Sequence, residues 1–509
     1  MRASRRPTKD DGQTGSRTGC PTLSRCWPVL ALLCLMESPS ATAQSANTPS
    51  TATPIKHLVV IFDENNSFDH YFGTYPNAVN PSGEPVFNPL PNTPSVNGLT
   101  PSLLTNNPNS TQPFRLDRGQ EALCDNDNHY TDEQNAYHAG LLDKFPESTN
   151  GAGCPLGSNM GYYDGNTVTA LWNYAQHFAM SDNFFDTEFG TTVMGHLNLI
   201  SGQTHQTSVQ TIAGKVANGS VIANVEAGVD DCTGKTPVKM TSKNVGDLLS
   251  AAGITWGWFY DSFARVGTNA DGTAICNPIY NNHYDPFMYF ASTSNPHHLP
   301  PSSVDAIGTN SDQANHQYDL RDFWNAALYG SLPAVSFLKF QSANTGHPAD
   351  STALNEQRYL VDTINALQRL PQWQNMAILI TYDDSDGFYD HVMPPIVSKS
   401  NDPANDSLMG PSGLCGTPAP GAYLDRCGYG TRLPFLVISP FANQNYVDST
   451  LTDTTSILRF IEDNWSLGRI GDQSFDAIAG SILNLFNFQG PAAAPLFLDP
   501  DTGLIAGGQ

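Results

Sequence analysis

The stretch that decides the fold is residues 55–67, which read IKHLVVIFDENNS. Its first part, Ile55–Phe62, is a continuous run of β-branched and apolar residues, and this is typical of a strand buried on both faces of a parallel sheet. Side chains that carry oxygen follow at once, beginning with Asp63, Glu64 and Asn65. Since sites in open α/β sheets form beyond the carboxyl ends of the strands, the stretch predicts both a sheet and a site at its edge.

A second stretch has the same pattern. Met376–Tyr382 (MAILITY) is another apolar run, and Asp383-Asp384-Ser385-Asp386 follows it. Acidic residues after strands are often ordinary caps and turn residues, which is the simpler explanation for either cluster alone. Two such clusters at neighbouring strand ends bring together the hard oxygen ligands that divalent cations prefer, so together they predict a metal site.

The remaining patterns predict strands that alternate with helices, which indicates an α/β sheet. Further strands are predicted at Ile254–Tyr260, Pro333–Phe340 and Leu433–Ser439, and helices at Thr167–Met180, Val245–Ala252, Asn355–Leu370 and Thr454–Trp465. Asn77–Ser110 is rich in Pro, Asn and Ser and is predicted to be a long surface loop. Residues 205–330 lack a regular alternation, and we expect them to include an insertion, or cap, over one end of the sheet.

The N-terminus predicts export. A basic stretch ends at Arg25, an apolar run covers Trp27–Met36, and Ala41-Thr42-Ala43 is a cleavage signal, so residues 1–43 are predicted to be a signal peptide. Residues 44–54 read as a linker, 55–490 as one large domain and 491–509 as a C-terminal tail. No later apolar segment reaches membrane length, so the sequence predicts a secreted or periplasmic protein with no integral membrane segment.

The cysteines agree with export. Six remain after the leader, at positions 124, 154, 232, 276, 415 and 427. An even number in an exported chain indicates disulfides, and 15 pairings are possible. Pairing between sequence neighbours (124–154, 232–276, 415–427) is the simplest expectation. None of these cysteines lies in a CxxC motif, which argues against a zinc ribbon or a thioredoxin-type site.

The composition excludes one class of partner. The chain of 509 residues has 48 acidic and 24 basic residues, for a formal charge of −24. A surface so acidic repels duplex phosphate, so we expect no nucleic-acid partner. The same charge opposes adhesion to anionic membranes, although it does not oppose action on single lipid molecules.

The segment Phe189–His196 (FGTTVMGH) adds a possible nucleophile. It precedes a helix-like run, Leu197–Ser201, and a hydroxyl at a helix start lies among free N–H groups at the positive end of the dipole. A transferring phosphoryl group binds well there, although a plain threonine cap is the commoner case. Four histidines lie in Gly/Pro/Asn-rich loops, where a functional role is more frequent than a core one: His129, His297, His298 and His347.

Four motifs in a fixed order carry a resemblance to a known family. They are EN-x-SFDHYFG (64–73), FGTTVMGHLNLISGQTH (189–205), NPHHLPPSS (295–303) and TYDDSDGFYDHVMPP (381–395). This order resembles the bacterial phosphoesterase family, which holds the non-haemolytic-type phospholipases C and the burst-inhibiting acid phosphatases within the alkaline phosphatase superfamily. The resemblance covers roughly residues 54–490. It implies a three-layer αβα, alkaline phosphatase-like fold and metal-assisted phosphoester hydrolysis through a covalent phospho-enzyme.

The resemblance also implies roles for individual residues. The family's metal ligands match Glu64, Asn65, Asp383 and Asp384, and the nucleophile matches Thr192, which would form a phosphothreonine. The catalytic histidines of the phosphate and leaving-group sites match His129, His298 and His347, and substrate-binding histidines match His297 and His196. Gly195 stands where Asn is common in the family, and this is expected to remove a contact to a phosphate oxygen.

The cofactor implied is a divalent cation. All-oxygen ligation favours Ca²⁺, Mg²⁺ or Mn²⁺, and Zn²⁺ is also possible. The expected substrate is a small phosphoester or a phospholipid, and Phe287, Tyr289 and Phe290 are expected to line the leaving-group side. The oligomeric state stays open.

Two alternatives remain. A sulfatase or phosphonate hydrolase of the same superfamily is one, although sulfatases use a C/S-x-P-x-R motif and Thr191–His196 has neither the Cys nor the Arg. A non-enzymatic secreted binding protein whose acids hold structural Ca²⁺ is the other, and it would need no nucleophile.

Overall fold

A mixed sheet of eight strands forms the centre of the fold. The computed structural model describes residues 50–409 and 413–507, so the predicted signal peptide (1–43) lies outside the described residues. In chain order the strands of this sheet are β1 (His57–Asp63), β2 (Ala179–Ser181), β3 (Trp256–Tyr260), β4 (Gln317–Asp319), β5 (Val335–Lys339), β6 (Met376–Tyr382), β7 (Phe435–Ile438) and β8 (Tyr446–Asp448).

The strands lie in the order β4-β3-β5-β1-β6-β7-β2-β8. Strand β7 runs antiparallel to both of its neighbours, and the other pairs in this sheet are parallel. All five predicted strands are confirmed. Strands β2, β4 and β8 have three residues each, too few to give a pattern in the sequence.

The helices in chain order are α1 (Phe68–Phe72), α2 (Pro101–Thr105), α3 (Tyr130–Tyr137), α4 (Phe145–Ser148), α5 (Thr169–His177), α6 (Thr192–Ser201), α7 (Val245–Ala251), α8 (Leu320–Tyr329), α9 (Ala353–Leu367) and α10 (Thr455–Trp465). The four predicted helices correspond to α5, α7, α9 and α10. The helix predicted to reach Met180 ends at His177, because Phe178 leaves the helical conformation (φ −116°, ψ −137°) and the next residues pair in the sheet as β2. Helix α2 lies in the predicted long loop.

Two layers of helices cover the two faces of the sheet. Adjacent residues of a strand point to opposite faces. On β3, the Trp258 ring lies 6.0 Å from His196 of α6, whereas Phe259 lies 5.4 Å from Phe323 of α8. Helices α7 and α10 contact α6, so they share its face, and α9 shares the other face with α5. The predicted three-layer αβα architecture is therefore confirmed.

Residues 205–330 contribute β3, β4, α7 and α8 to these layers. Between them lie short strand pairs: 216–217 with 220–221, 226–227 with 237–238, and 267–268 with 274–275. The expectation that Phe287, Tyr289 and Phe290 line a substrate mouth is wrong. Their exposed fractions are 0%, 0% and 1%, because they pack in the core beneath β3 and α6.

Three disulfides have the pairing between sequence neighbours that we expected. They join Cys124 to Cys154, Cys232 to Cys276 and Cys415 to Cys427, with Cα–Cα distances of 5.9, 5.8 and 5.4 Å. The C-terminal segment packs along α9, where the Gln368 and Asn365 amides bond the backbone of Leu496 and Leu498.

The described helices are all too short or too polar to cross a lipid bilayer.

Candidate active site

Three neighbouring parallel strands end at one edge of the sheet and build the site. Strand β1 lies between β5 and β6, and its last residue, Asp63, pairs with Tyr382 of β6. Glu64 therefore emerges beside Asp383, and Lys339 ends β5 on the other side. All three side chains are fully buried. Parallel pairing thus brings together residues that lie hundreds of positions apart in the chain.

Glu64, Asn65 and Asp383 form the centre of this edge. Ligand atoms of Glu64, His196 and Asp383 lie within 4.8 Å of one another. The Asn65 backbone N–H donates to Asp383 Oδ1 at 3.0 Å. Asn65 has a left-handed backbone (φ 61°), which asparagine tolerates better than most residues and which turns the chain back over the strand ends.

Asp384 joins the cluster through backbone contacts. Its N–H donates to Asp383 Oδ1 at 2.9 Å, and its carbonyl accepts from the Asn66 N–H at 2.9 Å. Asp384 Oδ1 accepts from Asn128 Nδ2 at 2.9 Å. The loop that carries Asn128 therefore closes over the end of β6, and the four predicted metal ligands lie together.

Each of those four residues keeps one buried oxygen with no hydrogen-bond partner among the described residues: Glu64 Oε2, Asn65 Oδ1, Asp383 Oδ2 and Asp384 Oδ2. A buried polar atom without a partner is costly, and a carboxylate more so. Oxygens of Glu64 and Asp383 lie within 4.8 Å of each other, and Asn65 and Asp384 follow them directly in the chain. Such oxygens are the ligands that a hard divalent cation prefers. These residues therefore fit such a cation.

The electrostatics agree with this fit. Burial, together with the neighbouring Glu64 carboxylate, raises the pKa of Asp383 well above its usual range. Burial and the adjacent Asp383 do the same to the pKa of Asp384. Like charges packed this closely without water need a compensating cation to remain ionised. The protein supplies one such charge itself, at Lys339.

Helix α6 brings Thr192 to the same edge. The helix begins at Thr192, whose carbonyl accepts from His196 Nδ1 at 2.7 Å, and His196 Nδ1 lies 3.6 Å from Asp383 Oδ2. The Thr191 hydroxyl donates to Asn224 Oδ1 at 2.5 Å, and the same oxygen accepts from the Val193 N–H. Asn224 thus serves as the side-chain cap of this helix.

Gly195 allows the helix to approach the strand end. A Cβ atom at this position would lie 1.9 Å from the Asp383 carbonyl oxygen, a backbone atom that cannot move aside. The glycine is therefore required by the close contact between α6 and β6. In this backbone, an asparagine at position 195 could not be accommodated.

His347 belongs to a second group beside the first. Ligand atoms of Asp125, His347 and Asp386 lie within 4.8 Å of one another, and Asp386 Oδ1 accepts from Asn65 Nδ2 at 2.8 Å. Burial opposes the protonation of His347, but attraction to Asp386 and Glu64 outweighs it and raises the pKa of His347 to about 9. His347 is therefore a protonated imidazolium at neutral pH, close to the cluster.

His129 lies on the rim of the site. It is exposed, precedes α3, and its Nδ1 lies 2.5 Å from Asp127 Oδ1. The hydrogen bond to Asp127 raises the pKa of His129 although burial opposes it. Its neighbours Asn126 and Asn128 reach Asp386 and Asp384, so the loop delivers His129 near the cluster.

His196 lies beside Glu64 and Asp383 but is fully buried, and His298 and His297 are paired with acids of another segment. Both ring nitrogens of buried His298 are engaged, with the Phe263 carbonyl at 2.7 Å and Asp230 at 2.8 Å. Exposed His297 pairs with Asp231. His196 is fully buried against Phe62, and burial with the nearby Lys339 keeps its pKa well below the usual range.

Two residues of the site were not predicted from the sequence. Lys339 stands in the run PAVSFLKF, where a single lysine in an apolar strand was the available signal. Glu133 of α3 is buried and accepts hydrogen bonds from the Ser385 hydroxyl and the Gly190 N–H. It therefore links the motif at 381–395 to the motif at 189–205, which contains Thr192. Nothing in its local sequence distinguishes it from a surface acid.

Comparisons with known proteins find a family and relatives that match most of the chain. The model of the Phosphoesterase family matches residues 55–468. A non-hemolytic phospholipase C of Pseudomonas aeruginosa is 26% identical over 463 residues, which cover 88% of this chain and 59% of that protein. Phospholipase C A of Mycobacterium tuberculosis is 26% identical over 468 residues, covering 87% and 79%.

A solved structure from Vibrio parahaemolyticus, described as a protein in the alkaline phosphatase superfamily, covers 83% of this chain and 72% of its own length, with 12% identity and a TM-score of 0.31. The chain spans 59% of the length of the Pseudomonas aeruginosa relative and 60% of the length of a non-hemolytic phospholipase C of Burkholderia pseudomallei.

Proposed function

Because the chain belongs to the phosphoesterase family, we propose that it is a metal-dependent hydrolase of phosphoric ester bonds, of the phospholipase C or acid phosphatase kind. The observation that carries the proposal is the set of four buried oxygens, one each from Glu64, Asn65, Asp383 and Asp384, that lack a partner among the described residues. A divalent cation bound there would neutralise the charge that develops on the phosphoryl oxygens and would activate a hydroxyl nucleophile.

Thr192 is proposed as the nucleophile. It is the first residue of α6, where free N–H groups and the helix dipole favour the phosphoryl anion. Its neighbour Thr191 is already committed to Asn224, which supports assigning the nucleophile to Thr192. Attack by the Thr192 oxygen would expel the leaving alcohol and form a phosphothreonine, which water would then hydrolyse.

His347 and His129 are proposed to assist the leaving group. The pKa of His347 is raised to about 9, so His347 carries a proton at neutral pH that could pass to the departing oxygen. The hydrogen bond to Asp127 also raises the pKa of His129, which favours its protonated form. His347 lies beside Asp386 inside the site, and exposed His129 lies at its rim, paired with Asp127. His298 and His297 are proposed to have no direct role in the reaction. They hold the segment around Asp230 and Asp231 in place, and His298 also bonds the Phe263 carbonyl.

A groove beside the site could hold an apolar leaving group. It has a volume of about 410 Å³, and its wall includes Phe114, Leu123 and Leu156. The Leu123 carbonyl accepts a hydrogen bond from the N–H of Ala349, which is two residues after His347. Asp125, a member of the His347 group, is two residues after Leu123. This supports esters with an apolar alcohol, whereas the acidic surface supports soluble or zwitterionic substrates over anionic membranes.

We also propose that the protein is exported to an oxidising compartment. Three disulfides support this, because such bonds are rare in the reducing cytosol. The cation is proposed to be Ca²⁺, Mg²⁺, Mn²⁺ or Zn²⁺, since the donor set holds only oxygens near one buried histidine.

The test uses the purified protein with p-nitrophenyl phosphate and p-nitrophenyl-phosphorylcholine, before and after chelation and after metal is restored. Thr192→Ala should lower kcat by roughly 10⁴-fold or more, as removal of a nucleophile does elsewhere. Thr191→Ala is the matched control, and it should cost ~1 kcal/mol of stability while most activity remains.

Rapid acid quenching followed by peptide mass spectrometry should find phosphate on Thr192. Full activity in metal-free protein would exclude the metal-dependent mechanism. Phosphate on Thr191, with an active Thr192→Ala variant, would move the nucleophile by one residue.

A further inference from the structure

Lys339 is a buried cation inside the candidate metal centre, and the proposed reaction assigns it no step. It ends β5, its side chain is fully buried, and its Nζ lies 4.6 Å from the centre of the Tyr284 ring. Burying an ammonium is costly unless it is fully paired. A group placed there at such cost needs an explanation.

The hydrogen bonds of Lys339 exclude direct contact with a substrate. Its ammonium has three donors, and it lies against three acceptors: the Phe62 carbonyl at 3.0 Å, the Asp63 carbonyl at 3.5 Å and Glu64 Oε1. It is therefore available neither as a nucleophile nor as a phosphate ligand. Its effect must act through Glu64.

The pairing leaves the two oxygens of the Glu64 carboxylate in different surroundings. Oε1 is occupied by Lys339, whereas Oε2 is buried with no partner in the described part of the chain. The predicted ligands Glu64, Asp383 and Asp384 carry three negative charges when ionised, and the buried neighbour Asp63 is a fourth acid that interacts with the same ammonium. One ammonium cannot balance these charges, so a divalent cation is still needed for the ligands to be ionised together.

Resting on the proposed function, we propose that Lys339 is a built-in counter-cation of the metal centre. It holds Glu64 so that Oε2 alone faces the metal, and it supplies one fixed positive charge that sets how strongly the centre attracts a divalent cation. Lys339 is thus a positioning residue, and its removal makes the centre more negative.

The test measures metal affinity in the full-length, metal-free protein by calorimetric titration with Mn²⁺. Lys339→Met removes the charge and the hydrogen bonds, and Lys339→Gln removes the charge but keeps a donor for Glu64. Lys339→Arg keeps the charge, and Lys239→Met removes an exposed lysine elsewhere. We expect Lys339→Met and Lys339→Gln to bind Mn²⁺ at least about tenfold more tightly than wild type, because a nearby positive charge has gone.

Lys339→Arg and Lys239→Met should stay within about threefold of the wild-type affinity. A second readout is the increase in melting temperature on adding Mn²⁺, which should be larger in Lys339→Gln than in wild type. Since Lys339→Gln keeps a polar partner for Glu64, it tests the proposal even if Lys339→Met does not fold.

The outcomes separate the two proposals. Unchanged or weaker Mn²⁺ binding in both charge-removing variants, with normal binding by wild type, would overturn the role of Lys339 alone. No binding by any of the proteins would overturn the metal-dependent function as well. Binding by Lys339→Gln but not by wild type would mean that Lys339 stands in place of a metal, which contradicts both.

Discussion

Two buried groups of charged residues in this protein differ in how completely their charges are paired. The metal-ligand cluster consists of Glu64, Asn65, Asp383 and Asp384. The Arg432 cluster consists of Asp69, Asp390, His391 and Arg432, and its two acids and its histidine also lie close enough to hold a metal ion. The comparison bears on the proposal that the first group, and not the second, holds a cation.

In the Arg432 cluster every carboxylate oxygen has a protein partner. Asp69 accepts from Arg432 and from His391, whose Nδ1 lies 2.5 Å away, and Asp390 accepts from Arg432 and the Val392 N–H. The guanidinium also donates to the carbonyls of Asn97 and Asp182 and lies 4.3 Å from the Phe68 ring. The cluster is closed, and its role is structural.

In the metal-ligand cluster the same kinds of residue leave oxygens without partners within the described ranges, 50–409 and 413–507. The difference teaches that a concentration of acids does not by itself indicate a site. Buried oxygens without a partner on several neighbouring side chains support a ligand better, because leaving them unpaired is costly unless a ligand binds.

The largest difference between the clusters should follow from Asp384→Asn. The change keeps the shape of the side chain but removes a ligand charge, so we expect kcat/KM for p-nitrophenyl phosphate to fall by roughly 10⁴-fold, about 5.5 kcal/mol in barrier terms. The metal-free protein should be no less stable than wild type, because a buried charge beside Asp383 has gone. Urea unfolding measures this, and a loss above ~2 kcal/mol would show that Asp384 is structural.

Arg432→Met should lower the stability of the protein and leave its metal affinity unchanged, the opposite of Asp384→Asn. It leaves Asp69 and Asp390 buried without their cation, so we expect a loss of ~3–5 kcal/mol in the free energy of unfolding, with metal affinity unchanged in the molecules that fold. Arg321→Met is the control, since its ion pair with Asp319 is at the surface and is worth less than ~1 kcal/mol. An equal loss of unfolding free energy in the two variants would show that the buried ion pairs of Arg432 contribute no more than an exposed one.

Gly195→Ala tests the backbone contact that positions the site. The added Cβ would meet the Asp383 carbonyl at 1.9 Å, so α6 must move away from β6. We expect a loss of ~1–3 kcal/mol in stability and a decrease in kcat, since Thr192 moves with the helix. Gly267→Ala is the control, because its Cβ would meet only the Ile275 side chain, at 3.1 Å. A fully active, fully stable Gly195→Ala protein would contradict the close approach.

The smallest effect concerns pH and the Arg432 cluster. Burial opposes protonation of His391, but attraction to Asp69 and a hydrogen bond to it outweigh burial and raise the pKa of His391 above its usual range. A raised histidine pKa stabilises the fold below the unfolded-state pKa, and this contribution disappears as the pH rises through the folded-state value.

His391→Asn should therefore lower the melting temperature by roughly 1–3 °C at pH 5.5 and by less at pH 9. The measurement is the difference between wild type and variant at each pH, so that other titrating groups cancel. A difference that grows with pH would show that His391 is neutral in the folded protein.

The sequence predicted the metal-ligand cluster because its members directly follow two recognisable strands. Glu64, Asn65, Asp383 and Asp384 needed only the rule that parallel strands end at one edge. The Arg432 cluster could not be predicted from the sequence, since Arg432 and Asp69 are 363 positions apart and neither belongs to a regular pattern of strand or helix residues. Such long-range ion pairs depend on how loops pack, which periodicity does not encode.

The same reasoning explains the remaining differences. Lys339 was missed because a lysine in an apolar strand suggests an exposed edge, whereas here it is covered by Tyr284. His298 and His297 were expected in the site because they lie in a polar loop. Asp231, the partner of His297, is 66 positions away, and Asp230, the partner of His298, is 68 positions away. No local sequence pattern predicts these pairs.

The Cys124–Cys154 disulfide has a practical consequence for producing the protein. It ties down one end of the segment whose Asn126 and Asn128 bond Asp386 and Asp384, and neither of its cysteines lies in a strand of the central sheet. Material made in a reducing cytoplasm, or stored with dithiothreitol, would lack this link beside the candidate site. Expression through an oxidising periplasm and thiol-free buffers are therefore the conditions under which an activity assay of this protein is informative.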